Sequence, residues 1–419
     1  MSAFVINGGR RISGSIRVQG SKNSVLPILA ATVLINGVSV IHNCPDLSDT
    51  AGTVKILKNL GCKVLREGNS IIVDSTNVTS SEIPENLMRE MRSSVIFLGA
   101  ILGRMKTAVI STPGGCEIGL RPIDLHIYAM KQLGVDIAED YGKLVCTASN
   151  GLVGKKITFS FPSVGATENA ILASVTANGI TTIVNAAREP EIIDLCDFLN
   201  KCGGEIYGAG ESVITIKGKE KLNPCEYSVI CDRIACATYL IAGAVTGGDI
   251  VLENTNPVHL NAIIPPLEEA GCHINVRCRE IRLKAPRRLN RIDKIITQPY
   301  PGFPTDAQAP FTTLLCVAKG TSVIVENIFE SRFKHIPELV RMGAKIRMEG
   351  RVAVIDGVER LYGAEVVSPD LRGGAALVLA GLCADGVTTV KNTKFIDRGY
   401  EDFENNLSML NADVRRKAN

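Results

Sequence analysis

The sequence lacks the features of several large classes of protein. No apolar run is long enough to cross a bilayer, and residues 1–14 lack the basic stretch and apolar run of an export signal. The formal net charge is only +3 over 419 residues, so there is no general basic field for nonspecific nucleic-acid binding. We therefore expect a cytoplasmic protein that binds neither membranes nor nucleic acid.

Metal and cofactor signatures are also missing. The thirteen cysteines include no Cys-x-x-Cys pair and the five histidines no His-x-x-x-His pair, which argues against a structural zinc site. Twelve of the cysteines are expected to be inert thiols in a reducing compartment. There is no P-loop or credible dinucleotide fingerprint, since Gly208-Ala-Gly210 lies between two strand patterns and predicts a hairpin turn. We predict no metal and no cofactor.

What the sequence does have is size and internal repetition. Its length suggests two or three domains, and 45% hydrophobic with 21% charged residues is ordinary for a globular protein. One pattern occurs six times: an amphipathic helical segment, a glycine or asparagine that ends it, and then a strand pattern of alternating polar and apolar residues. We call the glycine or asparagine the helix stop. A stop of this kind suits the left-handed C-cap of a helix. The six stops are Gly61, Gly134, Gly203, Gly271, Gly343 and Asn411.

A second pattern interleaves with the first: a helix of small apolar residues, a glycine turn and a strand of β-branched residues. Helices so poor in charge should be buried on most sides. A period near 70 residues indicates six repeated units, which could form a solenoid or two closed groups of three. The copies span residues 28–41, 170–184, 239–252, 311–325 and 375–390, and a weaker copy at 96–110 lacks the glycine in register.

The segment 112–126 carries one thiol in a glycine-rich loop, five residues before an arginine. Pro113 and the glycines that follow it forbid a regular helix or strand, so Cys116 is expected on a loop. The positive charge of Arg121 nearby would lower the pKa of this thiol and make it reactive. The alternative is a buried free cysteine that serves as a small hydrophobe.

Two further residues suggest an anion site at a helix amino terminus. Lys22 and Asn23 precede the apolar helix predicted from Val25 to Leu34. Backbone N–H groups and the helix dipole favour an anion there, and Lys22 adds a full charge. The alternative is a lysine exposed in the first turn of a helix.

Arginines and one aspartate complete the set of candidate groups. Guanidinium groups bind phosphate and carboxylate in a bidentate manner, although each arginine could instead form a surface ion pair, for instance with Asp370 or Asp397. Asp306 lies just before a predicted apolar helix, where the ordinary role would be an N-cap. The arginines near the ends of predicted elements are Arg92, Arg121, Arg372 and Arg398.

These motifs resemble those of the UDP-N-acetylglucosamine enolpyruvyl transferases (1-carboxyvinyltransferases). The resemblance runs from Ser21-Lys-Asn-Ser24 through Arg121-Pro-Ile-Asp-Leu-His126 to Ile396-Asp-Arg-Gly-Tyr400, so it covers essentially the whole chain. It implies an α/β fold, a two-domain inside-out α/β barrel of six repeated units of about 70 residues with helices inside and sheets outside. One domain would be residues 22–229 with the cysteine loop, and the other residues 1–21 with 230–419, carrying Asp306.

The resemblance also implies an activity. The enolpyruvyl group of phosphoenolpyruvate would pass to the 3'-hydroxyl of UDP-N-acetylglucosamine with release of phosphate, the first committed step of peptidoglycan biosynthesis. Cys116 would be the acid and the fosfomycin target, and Asp306 the base, in a protein expected to be a monomer. Phosphoenolpyruvate would be bound by Lys22, Asn23, Arg121, Arg332, Arg372 and Arg398. The nucleotide sugar would be bound by Arg92, Arg121, Pro122, Ile123, Asp124, Leu125, Ser163, Val164, Gly165, Asp306 and Ile328.

Two departures and two rival functions remain open. Ala235 and Cys236 stand where the family commonly carries a glutamate, and Phe161 where some members have a basic residue. The nearest rival, a 3-phosphoshikimate enolpyruvyl transferase, lacks the cysteine loop. A noncatalytic nucleotide-sugar sensor is supported only by the change at Ala235.

Overall fold

The chain divides into two compact units. The computed structural model describes residues 2–111 and 123–417, with Arg92 described in its backbone only. Residues 20–111 with 123–230 form what we call the inserted unit, and residues 2–19 with 231–417 form the split unit. Each unit has a hydrophobic core of its own.

Most strands are short, and many alternate buried with exposed side chains, as expected for sheets with one face on a core. In chain order the strands of the described residues are β1 (Ala3–Asn7), β2 (Ser13–Arg17), β3 (Val38–His42), β4 (Lys63–Glu67), β5 (Ser70–Asp74), β6 (Glu82–Ile83), β7 (Thr107–Ser111), β8 (Asp136–Asp140), β9 (Lys143–Thr147), β10 (Lys156–Thr158), β11 (Ile180–Val184), β12 (Glu205–Tyr207), β13 (Val213–Lys217), β14 (Glu226–Ser228), β15 (Asp249–Glu253), β16 (His273–Arg277), β17 (Glu280–Lys284), β18 (Lys294–Ile296), β19 (Thr321–Val325), β20 (Lys345–Glu349), β21 (Val352–Asp356), β22 (Glu365–Val367), β23 (Val387–Lys391) and β24 (Asp413–Lys417).

Apart from the short, polar helix Glu85–Glu90, apolar and amphipathic helices alternate along the chain. They are α1 (Lys22–Ala31), α2 (Ser48–Asn59), α3 (Glu85–Glu90), α4 (Phe97–Met105), α5 (Asp124–Gln132), α6 (Val164–Ser174), α7 (Pro190–Lys201), α8 (Arg233–Val245), α9 (Ile264–Glu269), α10 (Thr305–Val317), α11 (Ile336–Arg341), α12 (Leu371–Cys383) and α13 (Phe403–Met409). Short 3-10 turns occupy Thr32–Leu34, Arg92–Ile96, Pro257–Leu260 and Thr393–Arg398.

Each unit contains three four-stranded sheets built to the same plan. In every sheet a strand pairs in parallel with a second strand, which pairs antiparallel with a third, and the fourth pairs antiparallel with the third. The orders are β14-β3-β5-β4, β6-β7-β9-β8 and β10-β11-β13-β12 in the inserted unit, and β2-β15-β17-β16, β18-β19-β21-β20 and β22-β23-β1-β24 in the split unit. The strand β1 thus pairs with both β23 and β24 near the other end of the chain.

The charge-poor helices lie inside, as their composition predicts. In the inserted unit α4 packs against α1 and α6, and in the split unit α8, α10 and α12 pack against one another. Small residues permit the close approach: a Cβ added at Gly99 would lie 2.3 Å from the carbonyl oxygen of Asn169 on the facing helix. The prediction of an α/β fold of repeated units with inner helices and outer sheets is confirmed.

The six predicted helix stops are confirmed as well. The five glycines have φ between 89° and 103°, and Asn411 has φ 65°. In the weaker copy of the second pattern, Lys106 takes the position at which the other copies have glycine, and it adopts φ 66°. The missing glycine did not change the fold there, so a lysine bears the strain of the left-handed conformation.

Candidate functional site

In the split unit, one carboxylate is held by two buried guanidinium groups. Asp306 lies in the first turn of α10, where Arg332 Nη2 is 2.6 Å from its Oδ1. Arg372 donates to Oδ2 from Nε at 3.1 Å and from Nη2 at 2.9 Å. The arginine side chains are 4% and 2% exposed and the aspartate is 27% exposed. Both carboxylate oxygens are therefore ion-paired to buried arginines, and the side chain remains partly exposed.

The N-cap alternative for Asp306 is wrong. Helix α10 begins at Thr305 with Pro304 at the N-cap position, and no side chain caps it there. The charge of Asp306 is instead directed at guanidinium groups 26 and 66 residues further along the chain.

A second layer of contacts fixes Arg372. Its backbone N–H donates to Asp370, the N-cap of α12, at 2.9 Å. Its guanidinium lies 5.4 Å from the ring centroid of Tyr400, whose hydroxyl is 2.9 Å from Thr238 Oγ1. Burial alone would lower the pKa of the guanidinium, but Tyr400 and Asp306 raise it above its ordinary value. Arg372 is thus a permanent cation in a fixed orientation.

Glu326 is a site residue that sequence reasoning missed. It is fully buried, and its Oε1 accepts hydrogen bonds from the backbone N–H groups of Ile328 at 2.8 Å and Phe329 at 3.1 Å. Its Oε2 accepts from the hydroxyl of Thr305 at 2.9 Å. One carboxylate therefore ties the turn that carries Ile328 to the helix start that carries Asp306. A glutamate following a strand gives no sequence signal for such a role.

In the inserted unit, Lys22 is the first residue of α1, as predicted. Its ammonium is 2.9 Å from Asp49 Oδ2, with the lysine side chain 13% exposed and the aspartate 3% exposed. The alternative of an exposed surface lysine is therefore wrong. Asn23 is half-buried in the same first turn. A helix amino terminus and a held ammonium together favour an anion.

Two groups of residues predicted to bind the nucleotide sugar meet at His126. Ile123 is at the N-cap position of α5, and Asp124 and Leu125 are its first two residues. Ser163 is the N-cap of α6, which begins with Val164 and Gly165. A Cβ added at Gly165 would lie 3.1 Å from His126 Cε1, so the imidazole packs on that glycine. The two segments are thereby held against each other within this unit.

Asn169 fixes the imidazole and was also missed. Its Nδ2 lies 2.7 Å from His126 Nδ1 and 2.8 Å from the carbonyl oxygen of Val95, while its Oδ1 accepts from Gly99 N at 2.7 Å. Because an amide N–H donates to Nδ1, the neutral ring carries its proton on Nε2. Burial lowers the pKa of His126 to about 4, so the ring is neutral at pH 7.

Several predicted residues lie outside what the structure describes. Cys116, Arg121 and Pro122 fall in the segment 112–122, which is outside the described residues, and the side chain of Arg92 is likewise outside them. Arg398 ends a 3-10 turn and is half-buried. The neighbouring Asp397 is bound by Arg416 at 2.7 Å.

Comparison with known proteins gives a consistent result. Residues 6–407 match the family model for EPSP synthase (3-phosphoshikimate 1-carboxyvinyltransferase). The UDP-N-acetylglucosamine 1-carboxyvinyltransferase 2 of Caldanaerobacter subterraneus subsp. tengcongensis is 51% identical over 99% of this chain and all of its own length. The corresponding enzyme of Geobacter metallireducens is 45% identical over 99% of each chain. This chain belongs to the family of UDP-N-acetylglucosamine 1-carboxyvinyltransferases.

Solved structures agree on the fold of this enolpyruvyl transferase. The enolpyruvyl transferase NikO from Streptomyces tendae superposes with a TM-score of 0.90 at 26% identity, over 99% of both chains. An EPSP synthase from Acinetobacter baumannii has a TM-score of 0.76 at 19% identity over the full length of both, which supports the fold alone.

Three residues depart from the family pattern: Ala235, Cys236 and Phe161. Ala235 is fully buried in the first turn of α8, and its N–H donates to Asp232 Oδ1 at 2.9 Å. Cys236 is 1% exposed, and burial raises its pKa. Both positions are thus packed among apolar side chains. Phe161 is 43% exposed.

One of the twelve cysteines expected to be inert thiols is exposed to solvent. Cys278 is exposed in the turn between β16 and β17, because a tight hairpin turn leaves its side chain in solvent. Most other described cysteines of this enolpyruvyl transferase are buried and free. Among residues 2–111 and 123–417, no group of histidine, cysteine and acidic side chains is arranged to hold a metal, and no helix is both long and apolar enough to cross a membrane.

Proposed function

We propose that this chain transfers the enolpyruvyl group of phosphoenolpyruvate to the 3'-hydroxyl of UDP-N-acetylglucosamine and releases phosphate, the first committed step of peptidoglycan biosynthesis. The observation that carries the proposal is the Asp306 carboxylate, which forms ion pairs with the buried Arg332 and Arg372 and is itself 27% exposed. Identity of 51% over the full length to a relative named for this activity supports the choice of substrates.

The reaction is an addition followed by an elimination. The enol carbon must gain a proton as the sugar hydroxyl attacks, so one acid and one base are required. Asp306 accepts the hydroxyl proton, directly or through a relay, and Cys116 supplies the proton to the enol. The buried guanidinium groups keep Asp306 oriented, and Arg332 and Arg372 present further N–H donors to the phosphate and carboxylate of phosphoenolpyruvate.

Binding roles follow from the same chemistry. Lys22 and Asn23, at the start of α1, bind phosphoenolpyruvate together with Arg121 and Arg398. The nucleotide sugar is bound by Arg92, Asp306, Ile328, the residues 121–125 and the residues 163–165. The two enolpyruvyl transferase domains of this proposal are residues 22–229 and residues 1–21 with 230–419, in a cytoplasmic monomer.

The test is phosphate release from phosphoenolpyruvate with two acceptors. UDP-N-acetylglucosamine should support turnover that fosfomycin abolishes, and shikimate 3-phosphate should not. Turnover with shikimate 3-phosphate alone would establish the rival transferase. Binding of UDP-N-acetylglucosamine without any phosphate release would establish a noncatalytic sensor.

A further inference from the structure

Two cysteines lie side by side in the inserted unit, and none of the proposed catalytic groups involves them. The sulfur atoms of Cys202 and Cys225 are 3.3 Å apart, and both thiols are free. Cys202 is the C-cap of α7, and Cys225 directly precedes β14. A thiol–thiol hydrogen bond accounts for the distance in the reduced protein.

The main chain holds both cysteines in place. The carbonyl oxygen of Cys202 accepts a hydrogen bond from Asn223 N at 2.7 Å, two residues before Cys225. The carbonyl oxygen of Cys225 accepts from Val40 N at 3.1 Å in the adjacent strand. A disulfide needs sulfur atoms about 2.05 Å apart, so roughly 1.3 Å of further approach is required, within reach of side-chain rotation.

The two thiols differ in exposure and in pKa, and both differences favour oxidation at Cys225 first. Cys202 is buried, whereas Cys225 is half-buried and can be reached by a small oxidant. The hydrogen bond from Cys202 and the charge of Lys201 both lower the pKa of Cys225. The thiolate is the reactive form of cysteine, so Cys225 is the thiol that reacts first.

We propose that Cys202 and Cys225 form a reversible intramolecular disulfide when the protein meets hydrogen peroxide. The Cys225 thiolate attacks one peroxide oxygen, the O–O bond breaks, and a sulfenic acid and hydroxide are produced. The Cys202 sulfur then attacks the sulfenic sulfur, forms the S–S bond and releases the hydroxyl group as water with the thiol proton. Two thiols are oxidised and one peroxide is reduced to water. A dithiol reductant reverses the reaction.

The cross-link has a measurable consequence. It closes the chain between the end of α7 and the start of β14, a segment that includes the β12–β13 hairpin. Constraining a loop of this size in the unfolded chain should raise the melting temperature by about 5 °C.

The experiment uses the full-length protein, reduced and then exposed to hydrogen peroxide. Remaining thiols are blocked with N-ethylmaleimide, and the tryptic peptides are mapped without reduction. Trypsin separates the two cysteines, because Lys217 and Lys221 lie between them. We expect a cross-linked pair of peptides, lighter by two hydrogens than their sum and released by dithiothreitol, together with the rise in melting temperature.

Variants decide which thiols are joined. Cys202→Ala and Cys225→Ala should each abolish the cross-link, and the second variant also excludes Cys231, which lies on the same tryptic peptide. Cys62→Ala is the matched control, since Cys62 is a buried free cysteine beside a helix stop in another repeat, and it should form the cross-link normally. Recovery of both Cys202 and Cys225 fully alkylated after peroxide treatment, with Cys278 oxidised instead, would overturn the proposal.

Discussion

The two units hold their charged groups in opposite ways. In the inserted unit a cation, Lys22, is held by an aspartate that is almost fully buried, and the lysine is the more exposed partner. In the split unit an anion, Asp306, is held by two buried arginines, and the aspartate is the more exposed partner. In both units a buried partner fixes the position of a more exposed charged group, and that more exposed group is a proposed substrate contact.

The largest effect is expected at Asp306. Asp306→Asn should lower kcat on the order of 100-fold or more, because an amide cannot accept the hydroxyl proton. Two buried guanidinium groups also lose their counter-charge, so the free energy of unfolding should fall by about 1–3 kcal/mol. Steady-state kinetics and urea unfolding measure the two effects.

Asp306→Glu separates these two effects. It keeps the negative charge, so it should recover most of the stability while turnover stays low, because the carboxylate is displaced. If Asp306→Asn turns over like the wild type, the assignment of the base is wrong. The expected effect on folding follows from the two buried arginines that pair with this carboxylate.

A pH experiment compares one buried histidine in each unit. Burial lowers the pKa of both His126 and His335 to about 4, below the ordinary value of 6.5. A lowered pKa means that the neutral ring stabilises the fold above pH 6.5 and that this contribution is lost as the pH falls towards 4. For each ring, the free energy of unfolding should therefore fall by about 2 kcal/mol between pH 7 and pH 4.5.

The variant that tests this is His126→Gln. Urea unfolding measures how much the free energy of unfolding falls between pH 7 and pH 4.5. In the variant this fall should be smaller than in the wild type by about 2 kcal/mol, and the part due to His335 should remain. A variant whose loss equals that of the wild type would show that His126 does not titrate in this way.

A smaller effect is expected at the lysine of the inserted unit. Asp49→Asn removes the charge that holds the Lys22 ammonium, so the lysine must be ordered when phosphoenolpyruvate binds. We expect KM for phosphoenolpyruvate to rise roughly 5-fold with kcat nearly unchanged. Glu90→Gln is the control, because the Lys55–Glu90 pair has a similar distance of 3.0 Å but is exposed. Equal effects in both variants would contradict the proposed role of Lys22.

The smallest effect tests the repeat itself. Lys106→Gly should raise the free energy of unfolding by about 0.5–1 kcal/mol, because an exposed lysine now occupies a left-handed conformation. Gly179→Ala and Gly386→Ala should lower it by about 1 kcal/mol, since no other atom lies near either added Cβ and only φ opposes the change. Thermal melts measure all three, and a destabilised Lys106→Gly would refute the reasoning.

Local features of the sequence predicted the fold well. They did not predict the contacts of the site that join residues far apart in the sequence. A helix stop such as Gly61 or an apolar helix such as α12 is decided by residues within a few positions, so the pattern is sufficient. The pairing of Asp306 with Arg372 depends on how whole helices pack, so the positions of these residues in the sequence do not predict it. The same holds for Glu326 and for the contact between Cys202 and Cys225.

The strand order of the split unit has a consequence for synthesis on the ribosome. Strand β1, with the fully buried side chains of Phe4 and Ile6, pairs with β23 and β24, which are made roughly 380 and 410 residues later. At a translation rate of about 5–20 residues per second, β1 waits roughly 20–80 s for its partners. The inserted unit is complete long before that, because it draws all its strands from residues 38–228. The nascent chain therefore carries one folded unit while the apolar strand β1 at its amino terminus has no partner. During this interval β1 is the segment that a chaperone would bind.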